Sequence, residues 1–222
     1  MTLFVINPNS SQTVTDGIDA AIAPLRDWGH PIECLTLAEG PPGIETDQHV
    51  AGVIAPTHRL ALSQEPHASG YVIACFSDPG VVGLREKVDK PVVGIREAAI
   101  AQALTLGQKI GVIAIGQKSI PRHIAAFEAM CLSERLAGDR PLDLSVAELA
   151  DHDKTSARLK STAKALRDVD GADVLILGCA GMAQYRAEVE ADTGLPVVDP
   201  CQAAVAMALG QIKLRLTNHT KG

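Results

Sequence analysis

The sequence predicts an α/β protein of two pseudo-symmetric lobes, each a mainly parallel sheet flanked by helices, with the functional crevice between the lobes. Three observations carry this. The strand candidates are continuous Val/Ile/Leu runs that do not alternate with polar residues, as expected where both faces of a sheet are buried. Helical periodicity recurs between them, and strand–helix alternation of this kind is the α/β pattern. The third observation is an internal repeat. Tyr71-Val-Ile-Ala-Cys75-Phe-Ser-Asp-Pro-Gly80 in one half matches Val174-Leu-Ile-Leu-Gly-Cys179-Ala-Gly-Met182 in the other. A Pro-Val-Val triplet follows each, at Pro91 and Pro196, 16 and 17 residues beyond the cysteine.

Taken in order, Leu3 to Ile6 is a short buried strand, and Gln12 to Arg26 an amphipathic helix with Val14, Ile18, Ala21, Ile22 and Leu25 on one face. Ile32 to Leu37 is a second strand, followed by the turn-rich Glu39-Gly-Pro-Pro-Gly43. A helix covers Asp47 to Ser63, disturbed at Pro56, which has no N–H to donate. Further strands lie near Tyr71–Ala74, Val92–Gly94, Ile110–Ala114, Val174–Leu177 and Val197–Val198, with helical patterns between them. Leu3-Phe-Val-Ile-Asn-Pro-Asn-Ser10 and Ile110-Gly-Val-Ile-Ala-Ile-Gly-Gln-Lys-Ser119 each read strand, polar turn, helix, which extends the repeat. The first lobe is therefore expected over 1–95 plus about 200–222, with the last helix (about Gln202 to Leu216) packing back on it, and the second over 96–199. No linker rich in Pro, Gly or Ser parts them, so they should pack closely. The crevice outside the carboxyl ends of their strands is where such sheets bind ligands.

Composition narrows the function. A chain of 222 residues with 46% hydrophobic and 21% charged residues is globular. Its net charge of −6 argues against nucleic acid or an anionic membrane as partner, since both reward clustered Lys and Arg. No apolar run approaches the ~20 residues of a bilayer span, and Met1-Thr-Leu-Phe-Val-Ile6 lacks the basic start of a signal peptide. Five cysteines without a CxxC spacing fit reduced thiols in the cytoplasm, which leaves the Asn218-His-Thr220 sequon without meaning. Walker A, GxGxxG and Gly-x-Ser-x-Gly patterns are missing. The seven histidines, His30, His49, His58, His67, His123, His152 and His219, show no ligand spacing, so neither cofactor nor metal is expected. Lys and Arg read as solvated faces, and Lys154 to Asp168 as an exposed amphipathic helix. A small-molecule substrate remains. A homo-oligomer is expected, although the apolar helix Ala98 to Leu106 suits a subunit interface and a core equally.

A lone cysteine at a strand end is usually core, which is the reading for Cys34, Cys131 and Cys201. Cys75 and Cys179 differ because each occupies the same point of its half, beside a polar turn and a following helix. One thiol from each lobe is the arrangement needed to place an acid and a base on opposite faces of one carbon, the requirement of a cofactor-free racemase. Two sulfurs each reaching that carbon at ~3–3.5 Å would stand roughly 7 Å apart, out of disulfide range. Helix starts after them would favour the thiolate through backbone N–H groups. Asp78-Pro79 looks like an N-cap with proline at the first helical position, starting such a helix just past Cys75. Ala180-Gly181 would let the backbone approach a ligand. Asn7-Pro-Asn9-Ser10-Ser11 forms the first strand-to-helix turn, with polar groups at the ligand-binding end, and Ser77 sits beside Cys75.

These residues resemble the Asp/Glu/hydantoin racemase superfamily, and within it the hydantoin and allantoin racemase branch. The matching pieces are Val5-Ile-Asn-Pro-Asn-Ser10, Val72-Ile-Ala-Cys-Phe-Ser-Asp-Pro-Gly80, Arg85-Glu86, Pro91-Val-Val-Gly-Ile95 with Glu97-Ala-Ala99, Leu177-Gly-Cys-Ala-Gly-Met182 and Pro196-Val-Val-Asp199. The resemblance implies a two-lobed fold and cofactor-independent inversion by a Cys75/Cys179 base and acid pair. Asn9, Ser10, Ser77 and the backbone around Phe76, Ala180 and Gly181 would then hold the substrate and its developing enolate oxygen. It also exposes two departures. Val112-Ile-Ala-Ile-Gly-Gln117 carries Ala114 and Ile115 where members tend to have a Thr-Thr pair, leaving Gln117 or Ser119 as substitutes, and Gly43-Ile-Glu45 stands where Ser-Ile-Glu is common.

Three alternatives stand beside the racemase. An arylmalonate-decarboxylase-like enzyme would keep only the second-lobe cysteine, so Cys75 counts against it. A maleate-isomerase-like cis-trans isomerase would need dicarboxylate anchors, for which no basic pair is evident. A non-catalytic small-molecule sensor on the same scaffold would fit the lost hydroxyl pair.

Overall fold

The computed structural model describes residues 1–218. His219 and the sequon's Thr220 lie outside the described residues. Two four-stranded sheets, parallel throughout, follow one plan. The first contains β1 (Thr2–Asn7), β2 (Ile32–Thr36), β3 (Ala68–Ile73) and β4 (Val92–Gly94) in spatial order β2-β1-β3-β4. The second contains β5 (Ile110–Ala114), β6 (Leu136–Pro141), β7 (Val174–Gly178) and β8 (Val197–Val198) in order β6-β5-β7-β8. Strands β3 and β7 are thus equivalent, and the segments that leave them carry Cys75 and Cys179.

Helices α1 (Gln12–Ile22), α2 (Asp47–Gly52), α3 (Ile54–Ser63), α4 (Val81–Arg85) and α5 (Ile95–Ala103) belong to the first half of the chain. Helices α6 (Ile120–Ala129), α7 (His152–Asp168), α8 (Arg186–Thr193) and α9 (Pro200–Leu214) follow. None of the described helices is long and apolar enough to cross a membrane.

The unbroken apolar strands are explained by packing on both faces. Leu3 and Val5 of β1 join one core with Val72 and Val93, whereas Phe4 and Ile6 join another with Tyr71 and Ile73. The first of these cores is common to both sheets. It also takes in Ile110, Val112, Val174 and Ile176, together with Ala98, Ala99, Ile100 and Ala103 of α5 and Ala204 and Ala208 of α9. Helices α5 and α9 therefore form a layer shared by the two sheets, and their small residues allow close approach. Within the apolar stretch Ala98 to Leu106, Ala98, Ala99, Ile100 and Ala103 are buried within the chain, whereas Leu106 is exposed.

Proline explains two departures from the expected elements. The helix expected to reach Arg26 stops at Ile22 and tightens into a 3-10 turn over Ala23–Trp28. Pro24 has no N–H for the Ala20 carbonyl, which instead accepts from Ala23. The helix expected over Asp47 to Ser63 divides at Val53, because Pro56 leaves the Gly52 carbonyl without its donor. Strand β6 was not legible at all. Leu-Ala-Gly-Asp-Arg-Pro has no apolar run, and it pairs at the sheet edge while Asp139 and Arg140 bond to His123 and Asp170.

Candidate active site

The cysteines are delivered by strand ends. Ala74 N–H still donates to Ile6 O (2.8 Å), after which the chain turns and Asp78 N–H donates to Cys75 O (2.9 Å). In the other lobe β7 ends at Gly178. A Cβ there would lie 2.6 Å from Ile113 O, so only glycine lets β5 and β7 approach at this point. Cys179 then begins the 3-10 turn Ala180–Tyr185. Both cysteines line one cavity of about 40 Å³ at the carboxyl ends of the two sheets, and all five cysteines are free thiols.

Of the residues expected to hold a substrate, Asn9, Phe76, Ser77, Ala180 and Gly181 line the same cavity; Ser10 does not. Ser10 N–H donates to Pro41 O (2.9 Å), while Ser11 caps α1 by accepting from Val14 N–H. Asn9 Oδ1 accepts from Asn7 Nδ2 (2.9 Å) and Ser11 N–H (2.9 Å). Its oxygen is occupied in shaping the turn, so what Asn9 can offer a ligand is its amide donor.

The cavity shares Val14, Val146, Ala180 and Gly181 with an adjoining pocket of about 410 Å³. Alone it holds one or two waters at ~30 Å³ each; a ring-sized ligand needs both spaces or a shift of the loops above. Glu45 Oε1 ties those loops together across the lobes by accepting from Val146 N–H (3.0 Å).

Asp78 does not cap the helix that follows it. It has φ +48, and α4 starts only at Val81 behind Gly80. Its carboxylate accepts instead from the N–H groups of Arg96 and Glu97 (3.0 Å each) and so caps α5 from outside. The cap residue of α5 is Gly94, which has no side chain of its own to offer, and a Cβ at that position would collide with the Asp78 carboxylate. In the second lobe the cap is supplied locally, by Asp199 accepting from Gln202 N–H (2.7 Å). Asp78 thereby ties the Cys75 turn to the shared helical layer.

With no helix directly behind Cys75, desolvation decides its state. Burial pushes the Cys75 thiol up to about 11, and the Asp78 charge adds to this; hydrogen bonds from Ser77 and the charge of Arg122 pull the other way. Burial pushes Cys179 up to about 12, with the Gly181 N–H opposing and Cys75 and Glu45 reinforcing. Each sulfur disfavours ionisation of the other, so the pair supports one thiol and one thiolate rather than two thiolates.

Ser119, Arg122 and His123 also line the cavity. Arg122 departs from the expectation that every Arg forms a solvated face; its side chain is only 17% exposed. His123 is buried with Nδ1 2.7 Å from Asp139 Oδ2, and its ring meets Phe76 edge-on, centroids 5.0 Å apart. A second-lobe histidine thus braces the residue after Cys75. Ser119 occupies the turn after β5 as Asn9 does after β1, so mapping the repeat onto itself would have found this region; nothing local marked Arg122 or His123. Of the other cysteines, Cys201 is buried and Cys34 half-buried, but Cys131 is exposed. It has φ +57 at the end of α6, where a helix terminus takes a left-handed residue. No cluster of His, Cys, Asp and Glu fit to hold a metal ion occurs among the described residues.

The family model described as Asp/Glu/Hydantoin racemase matches residues 3–208. A hydantoin racemase of Paenarthrobacter aurescens is 32% identical over 222 residues, 96% of this chain and 92% of that protein. Among solved structures, an allantoin racemase from Pseudomonas fluorescens superposes with a TM-score of 0.94 at 26% identity, covering 100% of this chain and 94% of that one. An allantoin racemase from Klebsiella pneumoniae gives 0.90 at 28%, covering 100% and 91%.

Proposed function

The chain belongs to the Asp/Glu/hydantoin racemase family, and from that premise we propose that it inverts a Cα–H stereocentre in a hydantoin-like substrate, with Cys75 and Cys179 as base and acid and no cofactor. It is an isomerase, a racemase of this superfamily. One observation carries the mechanism: a cysteine from the segment after each of two equivalent strands lines a single cavity at the carboxyl ends of the two sheets.

In this reading one sulfur is a thiolate and removes the Cα proton from one face of the substrate. The C–H electron pair moves onto the adjacent carbonyl as an enolate. The opposite thiol then returns a proton to the other face as the pair flows back, and proton exchange with solvent resets the two sulfurs. Substrate enantiomers exchange the roles of Cys75 and Cys179. A ring carbonyl beside Cα makes that proton removable without an electron-sink cofactor. The Asn9 amide and the backbone around Ser77, Ala180 and Gly181 are the polar groups placed to hold the ring, and Phe76 closes the wall beside Cys75.

Single enantiomers of allantoin and of several 5-substituted hydantoins in D2O test this, with Cα–H followed by proton NMR and optical activity by circular dichroism. Deuterium uptake with loss of optical activity is expected, and Cys75→Ser and Cys179→Ser should each abolish the loss of optical activity, leaving at most exchange with retention in the one enantiomer whose base remains. Inversion surviving either substitution at the wild-type rate would refute the two-base mechanism, and no exchange with any of these substrates would refute the substrate class.

A further inference from the structure

The two-cysteine mechanism leaves Arg122 without a task. It stands in the first turn of α6, where the helix dipole disfavours a cation, and its side chain is buried into the cavity wall. Its Nη1 donates to Asp47 Oδ1 (2.7 Å) and to Lys118 O (3.0 Å). Asp47 is itself 84% exposed, so this pair is screened by solvent at its far end. The Nε–H is buried and has no hydrogen-bond partner among the described residues. A buried donor of a charged group left this way bears its full desolvation cost.

The neighbouring groups on this wall cannot supply the same donor. Ile115 presents only hydrocarbon to the cavity, and Ala114 carries no polar side-chain atom. Ser119 lines it too, but its hydroxyl proton is directed to Gly116 O (2.7 Å). Nδ1 of His123 is engaged with Asp139, and a proton held there leaves Nε2 of the neutral ring an acceptor.

We infer that the Arg122 guanidinium, on the cavity wall with Nη1 engaged by Asp47 and Lys118 and Nε–H unpartnered, donates an N–H to the substrate oxygen on which charge collects as the Cα proton leaves, making Arg122 a catalytic residue of the second-lobe wall. This rests on the racemase reading above. As the Cα–H bond breaks and an S–H bond forms, the released electron pair moves to the carbonyl oxygen, and the guanidinium N–H···O contact becomes charge-assisted at that moment. An interaction that strengthens in the transition state raises kcat more than it lowers KM. The accepted substrates are accordingly those whose Cα–H adjoins a carbonyl oxygen able to take up a full charge.

The test compares wild type with Arg122→Met and Arg122→Gln on whichever hydantoin or allantoin enantiomer the wild type racemises. Arg122→Met should lower kcat by about 10²–10³-fold, the range for removing one oxyanion donor, with KM within about threefold. Arg122→Gln, which keeps a shorter N–H donor, should lose less. Ethylguanidinium added to Arg122→Ala should restore part of the rate, which a purely structural role would not allow. In the absence of substrate, alkylation of Cys75 by iodoacetamide, read by peptide mass spectrometry, should move to higher pH in Arg122→Met. If Arg122→Met does not fold, the Gln variant carries the comparison. A folded variant retaining kcat within threefold, while the wild type racemises, overturns the inference alone. A wild type that exchanges no Cα–H overturns the racemase reading and this inference with it.

Discussion

Raising the pH from 7 to 10 is predicted to speed inversion and weaken the fold together. In the proposed two-thiol mechanism one sulfur must be a thiolate, and the more acidic thiol, Cys75, is held near 11 by burial. At pH 8 about one molecule in a thousand then carries the Cys75 thiolate, and kcat/KM should climb about tenfold per pH unit. The same shift acts on stability with the opposite sign. A thiol whose folded pKa lies above its unfolded value of ~8.5 holds its proton more tightly in the native state. The unfolded chain releases that proton first, and stability falls as pH rises from ~8.5 towards the folded values of about 11 and about 12. At pH 10 this is at most ~2 kcal/mol for each of the two thiols. Both residues are partly open to the cavity, so solvent screening brings the combined loss nearer ~2 kcal/mol, still a sizeable share of a typical ~5–15 kcal/mol. Initial rates by circular dichroism between pH 6 and 10, with urea melts at pH 7.5 and 10, measure both effects. A rate that levels off below pH 8, or a urea midpoint unchanged at pH 10, would show that the pocket stabilises a thiolate and that desolvation does not govern the site.

Three further outcomes are expected. Asp78→Ala should lose the external cap of α5, ~1–2 kcal/mol, and place alanine in a left-handed conformation, ~1 kcal/mol more, with a parallel fall in kcat as the Cys75 turn loosens. Because burial lifts Asp78 to about 6, its contribution fades as pH rises from ~4 through 6, so urea melts should show a larger loss at pH 5 than at pH 8. Glu45→Ala removes the acceptor that ties Val146 across the crevice, and at ~1 kcal/mol should raise KM about fivefold with little change in kcat; an unchanged KM would dismiss the latch. Ile100→Ala, in the layer shared by both sheets, should cost ~2–5 kcal/mol with a single cooperative urea transition, whereas two separate transitions would show that the lobes unfold independently.

Much of this protein was open to reading in its sequence. Unbroken runs such as Val174-Leu-Ile-Leu announce strands buried on both faces, because sheet geometry alternates side chains and only a two-sided core tolerates apolar residues at every position. The matched placement of Cys75 and Cys179 follows from the duplicated plan, since equivalent strands end at equivalent points. What the chain could not disclose locally depends on partners distant in sequence. Asp78-Pro79 carries the local signature of an N-cap, yet its carboxylate is drawn to a helix 18 residues away because Gly94 leaves that helix end bare. Strand β6 has no apolar signal because an edge strand pairs through its backbone while its side chains serve other elements. Arg122 reads as one more surface cation until tertiary packing buries it beside the cysteines. Periodicity and the repeat disclose most of the strands and helices and the two-lobed plan. Long-range contact alone decides which polar groups lose water, and with that loss come both the raised thiol pKa values and the unpartnered Arg122 Nε–H of the candidate site.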